Sequence, residues 1–150
     1  MLVRAVIDES QEMTSQEVAD EIGREYHARY GEPRHEAVEL GRVKDYLLAM
    51  DEPADIRAGD VVPALFVLTL GRTRRPQPSK GSLVNAGDDY EFFVPVRVGD
   101  SITIARTVLG VDEKQGKNGR MFLLRAEVSY TNQRGERVAL ARLKTLRWGW

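Results

Sequence analysis

The sequence predicts one α+β domain, with helices first and an antiparallel sheet after them. Three observations carry that prediction. Apolar residues recur at helical spacing over residues 14–50, they alternate with other residues from Tyr90 onward, and turn signals cut the alternating part into runs. The 150 residues, 42% apolar and 30% charged, suit a single domain able to bury its own core.

Thr14 and Glu17 fit a Thr-x-x-Glu capping box, Val18, Ile22 and Tyr26 form one helical stripe, and Gly31 with Pro33 ends the first helix. A second helix is expected over residues 41–50, with Val43, Tyr46, Leu47 and Met50 on one face. DEPADIRAGD (51–60) is polar and reads as loop. VVPALFVLTL (61–70) has no polar face, so it reads as a buried helix with Pro63 in its first turn and Gly71 at its end. Periodicity alone also fits a buried strand there. RTRRPQPSKG (72–81) is a basic, proline-containing loop.

The period then changes. In YEFFVPVRV (90–98), Tyr90, Phe92, Val94, Val96 and Val98 alternate with their neighbours, and Gly99-Asp100 turns the chain. Ile102, Ile104 and Val108 mark the next strand; Lys117-Asn118-Gly119 lies in a loop expected to exceed two residues. Phe122, Leu124, Ala126, Val128 and Tyr130 share one face of a further strand, and residues 132–135 turn again. The last run, 137–148, places Val138 and Leu140, then Leu146 and Trp148, with a bulge between. These are four strands of an antiparallel meander.

Composition excludes several chemistries. Without cysteine there is no disulfide, thiol nucleophile or thiolate metal site, and only His27 and His35 are available to imidazole chemistry. No dinucleotide, phosphate-loop or serine-hydrolase glycine motif occurs, and no His-Glu-x-x-His pattern, so zinc is not expected. Residues 1–60 hold 7 Lys/Arg against 15 Asp/Glu, and residues 61–150 hold 15 against 8. Either the two parts neutralise each other or the basic part faces an anion. The basic residues are scattered without an aromatic–basic motif, which argues against nucleic acid. The longest apolar run, 61–70, falls well short of the roughly 20 residues that span a bilayer, and no export signal is visible. A cytoplasmic location is expected.

Three segments carry a resemblance to a known family: VELGRVKDYLLAMDEP (38–53), GDVVPALFVLTL (59–70) and YEFFVPVRVGDSITI (90–104), extended by residues 111–148. Together they resemble the MaoC-like enoyl-CoA hydratases, and within them the N-terminal, dehydratase-type half. The resemblance implies a hotdog fold, an antiparallel sheet wrapped around a central helix at 61–70. Residues 37–150 would form that domain, with residues 1–36 as an extra helical extension. It also implies hydration of trans-2-enoyl-CoA thioesters, or dehydration of the 3-hydroxyacyl product, without a metal or an organic cofactor. In such enzymes an Asp and a His activate one water, and a backbone N–H near the central helix's start polarises the thioester carbonyl.

The family's active members carry Asp-x-Asn-Pro-x-His after the helix that here ends near Met50. This chain reads Asp51-Glu52-Pro53-Ala54-Asp55-Ile56-Arg57. Asp51 fits the Asp; the Asn is missing, Pro53 is displaced, and no His follows. Losing one general acid–base group typically costs about 10²–10⁴ in rate. Inactive halves of this kind pair with an active hotdog subunit that supplies Asp and His. The expectation is therefore a non-catalytic or weakly catalytic subunit of a heteromeric hydratase, forming part of an acyl-CoA cleft. Two alternatives stand beside it: a self-sufficient hydratase or thioesterase using Asp51, and an acyl-CoA-binding or assembly module without chemistry. Asp51 is the candidate catalytic residue. Candidate substrate contacts are the Val61 and Val62 amides for a carbonyl oxygen, Arg72, Arg74 and Arg75 for CoA phosphates, and Phe66 for the acyl chain. Partners implied are an acyl-CoA thioester and a second hotdog, in a heterodimer, heterotetramer or homodimer.

Overall fold

The computed structural model describes residues 12–72, 78, 80–117 and 119–149. Helix α1 (Ser15–Tyr30) opens on the expected capping box: Glu17 N–H donates to Thr14 Oγ1, and Thr14 N–H donates to Glu17 Oε2 at 2.8 Å. Strand β1 (Arg34–Ala37) follows, then helix α2 (Leu40–Ala49), a six-residue 3₁₀ helix (Ala64–Thr69), and strands β2 (Ser82–Phe92), β3 (Ser101–Gly116), β4 (Gly119–Thr131) and β5 (Arg137–Trp148). All pairings are antiparallel, in the order β1-β3-β4-β5-β2.

The expected meander holds only for β3-β4-β5. The strand read at 90–98 ends at Phe92 and begins earlier, at Ser82, and it pairs with β5 rather than β3. Pro95 lacks the N–H a ladder needs. The chain leaves the sheet after Phe92 and returns to bridge Val61 with Arg97. Val98 N–H then donates to Asp60 O, and Gly99, at φ +100, makes the turn into β3. Asp100, 5% exposed, fixes that turn by accepting from Arg97 N–H and Gln133 Nε2. β1 went unread because Arg34, His35 and Glu36 show no apolar alternation; its strand state comes from pairing with β3.

Three further expectations need correction. The run 61–70 is not a full helix: its first residues are pinned to the 96–98 segment, Pro63 removes a donor, and Leu70 is already extended. What is left is two turns of 3₁₀ helix. The β3–β4 loop is shorter than expected, since Gly116 pairs with Gly119. The β5 face is the opposite one. Tyr130, Val128, Ala126, Leu124 and Phe122 stand across from Ala139, Ala141, Leu143, Thr145 and Arg147, and the β4–β5 register runs without a shift from Met121 to Tyr130. Val138 and Leu140 are buried as well, so the start of β5 is covered on both faces.

Two apolar clusters fill the concave face of the sheet. One gathers Val43, Phe66, Leu70, Ile102, Ile104, Val128 and Tyr130 beneath α2 and the 3₁₀ helix, with Phe66 edge-on to Tyr46 at 5.5 Å between ring centroids. The other joins Val18 and Ile22 of α1 to Phe122 and Leu124. The 3₁₀ helix is too short to cover the whole sheet; α1 covers the rest.

Candidate functional site

The loop after α2 is shaped by helix termination. Glu52 N–H donates to Leu47 O at 2.9 Å and Asp51 N–H to Leu48 O at 3.1 Å, the bond pair of a Schellman motif. Asp51 occupies the left-handed position of that motif, at φ 57. Asp and Asn tolerate this conformation better than most side chains, so Asp51 has a structural reason to be here. Its side chain is exposed, as are Glu52 and Asp55. A shallow groove of about 570 Å³ lies beside the loop, lined by Leu47, Pro53, Asp55, Ile56, Asp60, Val61, Val62 and Pro63. Asp55, rather than Asp51, faces the groove that holds the Val61 and Val62 backbone.

The candidate substrate contacts disperse. Val62 N–H donates to Val96 O at 2.8 Å, which commits that amide to the fold. Val61 sits in the bridge to Arg97. Phe66 is 2% exposed and packs in the core. Arg72 leans back, its Nε 3.3 Å from Leu68 O, and lines a cavity on the concave face. Arg74 and Arg75 lie outside the described residues. Neither histidine approaches Asp51's loop: His27 is exposed on α1, and His35 projects from the sheet face opposite Ile102 and Ile104, its Nδ1 2.9 Å from Thr103 Oγ1. Among the described residues no group of three or more metal-ligating side chains gathers, and no helix is long and apolar enough to cross a membrane.

A second concave region was not anticipated. Two adjoining cavities, of about 220 and 300 Å³, lie between α1, the 3₁₀ helix and the sheet, and both are lined by Tyr30, Arg106 and Leu143. Arg106 stands on the inward face of β3, across from Val128, with its guanidinium 4.6 Å from the Tyr30 ring centroid and Nη2 3.4 Å from Gly71 O. Burial raises the pKa of Tyr26 and Tyr130; the neighbouring Arg106 opposes this in both, as Arg72 does for Tyr130. At the far end, the buried Arg147 pairs with Glu25 at 3.0 Å and donates to Lys80 O. The sequence did carry a signal for Arg106: with Ile102, Ile104 and Val108 inward, residue 106 must be inward too. Arg147 carries no such signal, because Val138, Leu140, Leu146 and Trp148 set the apolar alternation of β5 on the other face.

The sequence profile of the FAS1-like, dehydratase domain region family matches residues 21–141, beginning inside α1. No curated protein sequence matches the chain at a significant level. Among solved structures, the chain is similar to the ChsH1-ChsH2 complex from Mycobacterium tuberculosis, at TM-score 0.65 and 16% identity over 87% of this chain and 90% of that one. It is also similar to the HadBC (3R-hydroxyacyl-ACP dehydratase) complex from the same organism, at TM-score 0.58 and 20% identity over 77% and 91%. A MaoC-like dehydratase from Rhodospirillum rubrum matches at TM-score 0.59 and 18% identity over 81% and 93%. The five-stranded antiparallel sheet and the profile match agree: the chain belongs to the FAS1-like dehydratase-region family and has the hotdog fold of the MaoC-like dehydratases.

Proposed function

We propose that this chain is the non-catalytic subunit of a heteromeric MaoC-like enoyl-CoA hydratase, forming one wall of an acyl-CoA cleft while a partner hotdog supplies Asp and His. One observation carries the reading: the loop after α2 holds Asp51 as a helix terminator, and both histidines of the chain lie elsewhere. The exposed carboxylates of this loop can accept a proton, but the hydratase chemistry pairs the Asp with a His, and the neighbouring Arg57 does not deprotonate.

The surface supports a partner. All of β2 is exposed, and it pairs on one side only, with β5. An unpaired edge of eleven residues carrying Leu83, Val84, Tyr90 and Phe92 favours strand addition. Leu48, Met50, Val61 and Leu65 are also exposed apolar residues, on the α2 and 3₁₀ side that holds the Asp51 loop. Two similar structures are named as two-component complexes, which accords with a hetero-assembly. In this reading Arg74 and Arg75 meet CoA phosphates, Arg72 faces the concave-face cavity instead, and the acyl-CoA is the only small molecule required. The alternatives that place chemistry on this chain both need Asp51.

Asp51→Asn in the complex with a catalytic hotdog partner is the test. Hydratase activity should stay within a few-fold of the unsubstituted complex. A loss of a hundredfold or more would place the chemistry on this chain.

A further inference from the structure

We infer that the cleft beneath α1 selects acyl groups bearing a hydrogen-bond-accepting oxygen, a carbonyl or a carboxylate, far from the thioester. The cleft combines an apolar floor with polar groups that the fold leaves unsatisfied. Leu124, Ala126 and Leu143 line the floor. Above them, Tyr26 Oη is buried beside the Arg106 guanidinium and donates no hydrogen bond of ordinary geometry. Buried hydroxyls nearly always have a partner, so a donor left open beside a cavity is a place for one.

Arg106 strengthens the case. A guanidinium offers five N–H donors in a fixed fork. Arg106 uses one of them on a long contact to Gly71 O and lays its face on Tyr30. Among the described residues no carboxylate lies within ion-pair distance of it. Arg72, on the same cavity, likewise has a backbone carbonyl as its described partner. The one carboxylate lining that cavity, Asp88, accepts from Asn85 Nδ2 and Tyr90 Oη instead. A hydrocarbon tail alone would leave the Tyr26 O–H without an acceptor and most of the Arg106 fork unused in a dry cleft. An oxygen seated between them would engage both.

The site lies at the other end of the 3₁₀ helix from the Val61–Pro63 groove, and those six residues span about 12 Å at roughly 2.0 Å per residue. The oxygen therefore belongs to the distal part of the acyl group. The inference rests on the proposed function only in taking the ligand to be an acyl thioester.

Calorimetric titration of the full chain with octanoyl-CoA, 7-oxooctanoyl-CoA and suberyl-CoA tests it. At least one oxygenated probe should bind ten times more tightly than octanoyl-CoA. Stronger binding of the oxo probe identifies a carbonyl ligand, and stronger binding of suberyl-CoA a carboxylate. Tyr26→Phe, which keeps the ring in place, and Arg106→Gln should each bring the preferred probe down towards octanoyl-CoA and leave octanoyl-CoA unchanged. Equal binding of all three probes, no binding of any, or a preference that survives both substitutions would overturn the inference. The two readings fail separately. Turnover of an enoyl-CoA by the chain alone, with the preference intact, would sink the subunit reading only; no turnover and no preference would sink this one.

Discussion

The two halves of the concave face use one sheet for different ends. Beneath α2 and the 3₁₀ helix, Phe66, Leu70, Ile102 and Ile104 close into a core with apolar side chains on every side. Beneath α1, the same strands carry Arg106 and Arg147 inward, and space remains around them. Strand pairing is continuous across both halves, so backbone bonding does not make the difference. The covering element does. A 3₁₀ helix of six residues, nearly all apolar, seals what lies below it, whereas α1 brings Glu25, Tyr26 and Tyr30 to the sheet and leaves polar cavities. One half is packed closed and the other keeps open space around polar side chains.

Substitutions should separate the halves. Phe66→Ala removes the largest fully buried side chain of the closed half and should cost about 3–5 kcal/mol in urea unfolding. In the open half, Arg147→Ala takes the buried cation from Glu25, which keeps Arg29 at 3.5 Å, and should cost about 3 kcal/mol. Replacing both, as Arg147→Met with Glu25→Leu, should recover most of that loss, because two desolvated charges leave together. A double replacement as damaging as the single one would mean that the pair is not what holds α1 to β5. Thr14→Ala opens the capping box and should cost about 1 kcal/mol. Its effect should show first as faster amide exchange in α1, with α2 unchanged.

Alkaline pH gives a further separation. Burial raises Tyr26 and Tyr130 above the ordinary phenol value of 10.0, so the unfolded chain loses these protons first. Their contribution is fully present below pH 10 and is lost as pH rises through the folded-state values. Tyr26→Phe should flatten that alkaline decline. The smallest effect expected is a gain: Asp51→Gly relieves the left-handed backbone after α2 and should stabilise the chain by up to about 1 kcal/mol.

Much of this was legible in the sequence, and the limits are physical. The capping box at Thr14, the helix through Val43 and the inward face of β4 follow from local periodicity and hold in the structure. β1 and the first part of β2 were invisible because RHEA and SLVNAGDD carry no strand pattern and depend on their neighbours for hydrogen bonds. The order β5-β2 was missed because Pro95 acts on topology, which a reading of adjacent runs does not reach. In the site, Asp51 was found by its place after a helix, yet the backbone that explains it, at φ 57, has no sequence signature stronger than Met50-Asp51 itself. Arg106 could have been found by carrying the alternation through β3.

The measurement that bears most directly on the central claim is hydration of a trans-2-enoyl-CoA by the purified chain alone, followed as loss of the conjugated enoyl absorbance at high protein concentration. The account predicts no turnover until a hotdog partner carrying both Asp and His is added. Clear turnover by the chain alone would contradict it and return Asp51, with Glu52 and Asp55 beside it, to the centre of the chemistry.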